Sequence, residues 1–231
     1  MGFYDDWKCA KDSGIDESMY ILDFLKKTPE SLGVIIAGQP TEVALAVDVL
    51  VNTDLGLFLD KLDDLDFSRE PEKSEVPQFS SFENGAIRVP ELLQFADDGL
   101  TYDDLGYQMV KANRIGACIK YGENHSKLAD LMSLVTISKT RPAIVKSTTL
   151  GKHLVAFDLD EKADVLKKLL LRDYFMQRMI SEAKRGMTYY SDVASCLSES
   201  TRIRRRSNVK CLAEFILENG EGSHIYKNIV W

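Results

Sequence analysis

The chain is poor in the residues that build disulfide frameworks, metal sites and membrane spans. Its 231 residues include four cysteines and three histidines, all of them scattered along the chain. No two cysteines form a Cys-x-x-Cys pair. We therefore expect reduced cysteines in a cytoplasmic protein, and neither a metal site nor a cofactor. No apolar run approaches the ~20 residues that cross a bilayer, so no membrane contact is expected. The N-terminus lacks a basic stretch followed by an apolar one, which argues against a secretory signal.

The net charge of −7 is unevenly distributed along the chain. Residues 1–98 contain 8 Lys/Arg and 21 Asp/Glu, a net charge of −13, whereas residues 99–231 contain 21 and 15, a net charge of +6. A charge asymmetry of this kind indicates nucleic-acid contact by the basic half. An acidic region beside a mildly basic domain with no polyanion partner is the alternative interpretation.

Apolar periodicity and turn residues divide the chain into four parts. Residues 1–65 have the spacing of several acidic helices, for which we expect dimerisation or docking of a protein partner. Residues 66–85 hold two prolines and four serines with almost no apolar periodicity, which predicts a linker. Residues 86–158 and 159–231 form two further units.

The two units share an internal repeat. The sequence of Gly99–Tyr102 (GLTY) returns 87 residues later as Gly186–Tyr189 (GMTY). Each copy has a threonine placed to cap a short helix, predicted at Tyr102–Met109 and Tyr189–Leu197. A helix precedes each short helix, the second of them at Lys162–Ala183, and a polar break and a longer amphipathic helix follow it. This order is typical of a helix-turn-helix.

Strand-like sequence follows the longer helix in each unit. Leu134–Ile137 and Ala143–Thr148 are rich in β-branched residues and flank a polar, proline-containing centre, which predicts a hairpin, the wing. In the second unit only His224–Trp231 has strand character, so its wing should be short or incomplete. The predicted fold is mainly α with small β-hairpins: two tandem winged-helix units after a helical N-terminal region.

Residues of both longer helices resemble a known pattern. Arg114, Tyr121, Asn124, Leu128 and Leu131, followed by Ser147–Lys152 (STTLGK), resemble the winged-helix modules of type II restriction endonucleases and restriction-associated proteins. Thr201–Lys210 resembles the start of the second module's recognition helix. Two departures are Ser133 in place of the usual Gly and Gly122 in place of a second Tyr. The resemblance implies double-stranded DNA recognition within a restriction-modification or defence system; a transcriptional regulator is the other role considered.

The candidate DNA-binding residues fall in three groups. The first, arginine-rich group lies at residues 202–210 and has five positive charges in nine residues, with no acid between Glu199 and Glu214. Its arginines suit guanine edges and phosphates; pairing with acids such as Glu199 is the alternative. The other groups are the first unit's helix, where asparagine suits adenine, and the acid-free hairpin. His125 is expected to be a polar surface residue. The candidates are Arg202, Arg204, Arg205, Arg206, Asn208 and Lys210; Arg114, Lys120, Asn124 and Lys127; and Lys139, Arg141 and Lys146.

No complete catalytic motif is present in the sequence. A restriction-type nuclease needs an Asp on one strand and Asp/Glu-x-Lys on the next to hold Mg²⁺. Asp158–Lys162 (DLDEK) has acids and a lysine at the wrong spacing, and we predict that it begins a helix with Asp158 or Asp160 as a cap. We therefore expect a non-catalytic protein. The alternatives are a winged-helix scaffold for protein partners and a nuclease with an unrecognised metal site.

Overall fold

The computed structural model describes residues 50–109, 115–218 and 222–231. The predicted helices before residue 50 therefore lie outside the described residues. The chain forms two compact units, which within the described part comprise residues 50–53 with Phe79–Leu166, and Asp54–Gln78 with Lys167–Trp231. The predicted mainly helical fold with small strands is confirmed. None of the helices in the described part is long and apolar enough to cross a membrane.

Helices α1–α10 and strands β1–β5 are numbered in chain order. Two short elements are additional: a 3-10 turn at Leu62–Asp64 and a π-helical turn at Asn84–Arg88. The elements are α1 Leu55–Lys61, α2 Val89–Leu93, β1 Leu100–Thr101, α3 Tyr102–Met109, α4 Ile115–Leu131, β2 Val135–Ile137, β3 Ile144–Ser147, α5 Thr149–Val155, α6 Leu159–Leu170, α7 Tyr174–Arg185, β4 Thr188–Tyr189, α8 Tyr190–Val193, α9 Glu199–Leu217, α10 Gly222–Lys227 and β5 Ile229–Val230.

The first unit has a three-stranded antiparallel sheet with the order β1-β3-β2. The predicted hairpin is present, with Val135 opposite Ser147 and Ile137 opposite Val145. The predicted helix at Tyr102–Met109 is also present, and Thr101 caps it: its hydroxyl accepts from the Asp104 N–H at 3.1 Å, while the Asp104 carboxylate accepts from the Thr101 N–H at 3.1 Å. This reciprocal arrangement is a capping box, which satisfies N–H groups left free at a helix start.

Two glycines allow the backbones of α3 and α4 to approach each other closely. A Cβ atom built on Gly106 would lie 1.9 Å from the Cys118 carbonyl oxygen, and one built on Gly122 would lie 1.9 Å from that of Tyr102. No larger side chain fits either position without moving a backbone. The departure at Gly122 therefore has a structural reason, because this glycine sets the separation of the two helices.

The C-terminal end of α4 explains the second departure. Ser133 has a φ of +57°, in the left-handed region that favours glycine. Its N–H donates to the Asp130 carbonyl at 2.8 Å, and the Leu134 N–H donates to the Ala129 carbonyl at 2.9 Å. This is a Schellman motif, which ends the helix and satisfies its last carbonyls. The chain then enters β2 directly.

The second unit contains α1, α7–α10 and a two-stranded sheet in which β4 pairs with β5 in parallel. The predicted strand at His224–Trp231 is wrong for most of its length, since α10 occupies Gly222–Lys227 and only Ile229 and Val230 are extended. No hairpin follows α9 in the part of this unit that the structure describes. The expected threonine cap is also absent, because the buried Thr188 hydroxyl donates to the Glu182 carboxylate at 3.0 Å.

The stretch predicted as a linker, residues 66–85, divides between the two units. Residues 66–78 form no helix or strand, but side chains fix them within the second unit. Tyr174 donates its hydroxyl to the Arg69 carbonyl at 2.7 Å, and the Arg69 guanidinium lies 3.7 Å from the Tyr174 ring centre. Arg69 also forms two hydrogen bonds to Glu75. Although the segment lacks apolar periodicity, these polar contacts help to hold it in place.

Candidate nucleic-acid interface

The long helix of the first unit, α4, carries candidate residues on one face. Lys120, Asn124 and Lys127 are spaced by four and three residues, so they share a stripe. Lys120 and Lys127 are exposed and Asn124 is half-buried. Lys127 forms an ion pair with Glu123 one turn earlier. The fourth candidate of this group, Arg114, lies outside the described residues.

His125 lies in the interior, so the prediction of a surface position is wrong. Its side chain is fully buried, and the Ser81 N–H donates to its Nε2 at 3.1 Å. Nδ1 is 2.7 Å from the Tyr121 carbonyl. These contacts assign a neutral ring with the proton on Nδ1, and burial lowers the pKa of His125, which favours the neutral form further. The ring anchors the start of the first unit and is not available to DNA.

The hairpin carries the next three candidates, all exposed. Lys146 lies on β3 opposite Thr136, on the face away from the buried Val135 and Val145. Lys139 and Arg141 lie in the loop that connects the two strands, and hydrogen bonds within the hairpin fix the conformation of this loop. The Ser138 hydroxyl accepts from the Ile144 N–H at 2.8 Å and lies 2.6 Å from the Thr140 hydroxyl. The loop therefore presents its cations from a fixed backbone.

No acid occurs on this hairpin or beyond it until Asp158. Lys152, on α5, forms an ion pair of 3.2 Å with the exposed Asp97 carboxylate. Among the described residues, Lys139, Arg141 and Lys146 form no such pair, so their charges face solvent. This arrangement suits contacts to phosphates, which neutral or paired residues would not attract.

In the second unit the arginine-rich segment forms the first turns of α9. The helix begins at Glu199, so the arginines are part of the helix rather than a lead-in to Asn208. The buried side of α9 follows a helical spacing from Thr201 through Val209 to Ile216. Arg205 falls on this same stripe, four residues after Thr201 and four before Val209.

Arg205 is half-buried and donates hydrogen bonds within the protein, which differs from the outward position expected for it. Its Nη1 donates to the carbonyl oxygens of Lys73 and Val76 at 2.8 and 2.7 Å. Its Nε is buried without a hydrogen-bond partner in the described structure. Desolvation by burial lowers the pKa of Arg205, and the neighbouring charge of Arg204 lowers it further. The position of residue 205 on the buried stripe was the sequence signal for this role.

Three further candidates on α9 already interact with other groups of the protein. Arg202 donates to the Ser191 carbonyl at 3.2 Å and is half-buried. Lys210 lies 3.8 Å from the Glu214 carboxylate, and Asn208 is half-buried with an interaction of its own.

The remaining two arginines of α9 face solvent. Arg204 and Arg206 are exposed, and neither has a hydrogen-bond or ion-pair partner among the described residues. The pairing with Glu199 that we considered as an alternative does not occur in the described part of the chain. These two side chains are therefore the ones on α9 that are available to an anionic partner.

One exposed residue of α9 was not anticipated from the sequence. Ile203 is 60% exposed, although isoleucine is usually buried. It lies between Arg202 and Arg204 in the sequence and directly opposite the buried stripe. The sequence signal was its phase: a helix that buries residues 201, 205 and 209 must turn residue 203 outward.

One of the acids considered for catalysis, Asp158, serves local structure. Asp158 caps α6, since one of its carboxylate oxygens accepts from the Asp160 and Glu161 N–H groups at 3.0 and 2.9 Å. The predicted cap at Asp158 is thus confirmed. Within residues 50–109, 115–218 and 222–231, no three His, Cys, Asp or Glu side chains are grouped so that they could hold a metal ion.

Comparisons of the chain with protein-family models, with curated proteins and with solved structures gave no match. Its function must therefore be inferred from the geometry of the two units.

Proposed function

We propose that the chain is a non-catalytic protein that binds double-stranded DNA through exposed cations of both units. In the first unit, the order helix, strand, helix, helix, strand, strand and the sheet order β1-β3-β2 support a winged helix. In such a unit α4 would be the recognition helix and the β2–β3 hairpin the wing. The main support for the proposal is the acid-free hairpin, whose Lys139, Arg141 and Lys146 are all exposed.

The second unit supports the proposal with a different set of contacts. Arg204 and Arg206 extend from the first half of α9, the part of a recognition helix that meets base edges or phosphates. The described part of this unit offers no hairpin after α9, so it would bind through the helix alone. The residues before α1 would then serve dimerisation or partner docking. The resemblance of α4 and α9 to restriction-type modules favours a recognition role in restriction or defence over a role in transcription.

The decisive experiment is a salt titration of binding to a random-sequence duplex of about 24 base pairs, followed by fluorescence anisotropy. We expect affinity to fall steeply with salt, because each phosphate neutralised contributes about −0.9 to the slope of log K against log salt. The double variant Lys139→Ala/Arg141→Ala should reduce that slope by about 1.8. The matched control, Arg88→Ala/Lys152→Ala, also removes two positive charges from the first unit, but from residues paired with acids.

The control separates a specific interface from a general charge effect. An equal change of slope in both double variants would show that only net charge matters, and the hairpin assignment would be wrong. No detectable binding at about 50 mM salt would refute DNA binding altogether. Incubation with plasmid and Mg²⁺ tests the non-catalytic part of the proposal, which any cleavage would contradict.

A protein-interaction scaffold is the second candidate function. Phe95 and Tyr107 of the first unit are 89% and 74% exposed, and aromatic side chains of this kind are enriched at protein interfaces. The net charge of −7 is compatible with this function. If the wild type binds a protein partner but no DNA, and the Lys139→Ala/Arg141→Ala variant retains that partner, this candidate is favoured.

A further inference from the structure

The solvent face of α9 has an apolar centre between two arginines. At 3.6 residues per turn, Arg204 lies about 100° to one side of Ile203 and Arg206 about 60° to the other. Ser207, one turn after Ile203, continues the same exposed face. On α9 itself, the acid nearest to this face is Glu199, one turn before Ile203, and the next, Glu214, lies about 16 Å beyond Ile203 along the helix axis.

An exposed isoleucine at this position contributes little to the stability of the helix. Isoleucine has a lower helix propensity than the lysine or glutamate typical of a solvent face, and Ile203 contributes little to the core. A single exposed apolar residue would need no explanation elsewhere on the surface. Here it occupies the middle of the face that the proposed function assigns to DNA.

The major groove contains one apolar group on its base edges, the C5-methyl group of thymine. Arginine on either side of an apolar side chain matches an edge on which a methyl group is flanked by guanine acceptors or phosphates. Isoleucine can remove that methyl group from water, whereas a guanidinium group cannot. The chemistry of the face therefore fits a groove with a thymine at its centre.

We propose that Ile203 is a specificity-determining residue that contacts the methyl group of a thymine in the major groove, between the contacts of Arg204 and Arg206. This inference rests on the proposed function and extends it from DNA in general to a preference at one base pair. It assigns selectivity to an apolar residue and affinity to the cations beside it.

The test begins with selection of bound duplexes from a random pool by the full chain. In the selected duplex each thymine is then replaced in turn by deoxyuridine, which lacks only the methyl group. At one position we expect binding to weaken about four-fold, the effect of a single buried methyl group. The variant Ile203→Ala should bind the thymine duplex about as weakly as the wild type binds the uracil duplex, and should not distinguish the two.

Met187→Ala is the matched control, because Met187 is an apolar residue of the same unit that is 70% exposed but lies outside α9. This variant should keep the wild-type sensitivity to uracil. If no thymine position responds, or if Ile203→Ala remains as sensitive as the wild type, the inference is wrong while DNA binding stands. If no duplex is bound at all, the proposed function fails and the inference fails with it. Binding of a protein partner that Ile203→Ala abolishes, without DNA binding, would also overturn it.

Discussion

Replacement of Arg205 by alanine tests whether this residue holds the protein together or binds DNA. The change removes two hydrogen bonds from a charged donor, to the carbonyl oxygens of Lys73 and Val76. Such bonds contribute roughly 1.5–3 kcal/mol each. Both come from one nitrogen of a partly exposed guanidinium, and the buried Nε without a partner offsets part of the gain. We therefore expect a loss of about 2–3 kcal/mol in the free energy of unfolding.

Urea unfolding followed by far-ultraviolet circular dichroism measures this loss. The matched control is Arg204→Ala, which removes the same side chain from the adjacent, exposed position of α9 and should change stability by less than about 0.5 kcal/mol. The two variants should differ in their effect on DNA binding. Arg204→Ala weakens binding at low salt, whereas Arg205→Ala, assayed where it is still folded, binds nearly as the wild type does. Arg205→Lys should lie between alanine and wild type in stability, since lysine keeps the charge but lacks the planar fork.

Equal stability of the two alanine variants would refute the reasoning, because it would mean that the bonds from Arg205 contribute nothing. A larger loss of DNA affinity in Arg205→Ala than in Arg204→Ala would refute the assignment of DNA contact to Arg204 rather than to Arg205. For the same reason the three consecutive arginines must be replaced one at a time. A triple variant would lose stability and affinity together, and neither effect could be assigned.

Three further predictions concern the fold. Gly122→Ala should lower stability by about 3 kcal/mol, measured by urea unfolding, because its Cβ would lie 1.9 Å from the Tyr102 carbonyl oxygen; unchanged stability would contradict this close approach. Ser133→Gly should raise stability by up to about 1 kcal/mol in the same assay, since it relieves a left-handed residue at φ +57°; a loss would show that the serine side chain matters more. Asp173, whose side chain accepts from the Met176 N–H, has a pKa that burial raises from 3.8 to about 7. The folded state therefore keeps a proton that the unfolded state loses above about pH 4, and stability from this group falls as the pH rises to 7. Asp173→Asn keeps the cap without the charge, so its stability relative to the wild type should increase between pH 4.5 and 8; a constant difference across that range would show that Asp173 does not titrate there.

The local elements of the first unit were largely predictable from the sequence. Thr101 and Asp104 form a capping box whose residues are three apart, so the start of α3 depends only on neighbouring groups. The hairpin likewise follows from β-branched runs on either side of a polar turn. Such features are predictable because the interacting atoms lie close together along the chain.

Local sequence was less informative in the second unit, where contacts between residues far apart in the chain outweigh the helix or strand propensity of a segment. The β-branched residues near the C-terminus predicted a strand over His224–Trp231, yet α10 forms there and only Ile229 and Val230 pair with β4, about 40 residues earlier. The predicted single helix at Lys162–Ala183 is also wrong, since α6 ends at Leu170 and Asp173 caps a new helix, α7. In the second unit, therefore, pairing and capping that depend on the folded chain outweigh the local pattern.

Composition alone shows where the cations lie along the chain, whereas packing selects those that face solvent. Five positive charges between residues 202 and 210 are evident from the sequence. Helical phase places Arg205 on the buried stripe, but only the packing of residues 73–76 against α9 identifies its partners, which are backbone carbonyls about 130 residues away that any sequence provides. The same packing turns Ile203 outward. Helical phase fixes which residues share a face, but the burial of one face depends on what the rest of the chain places against it.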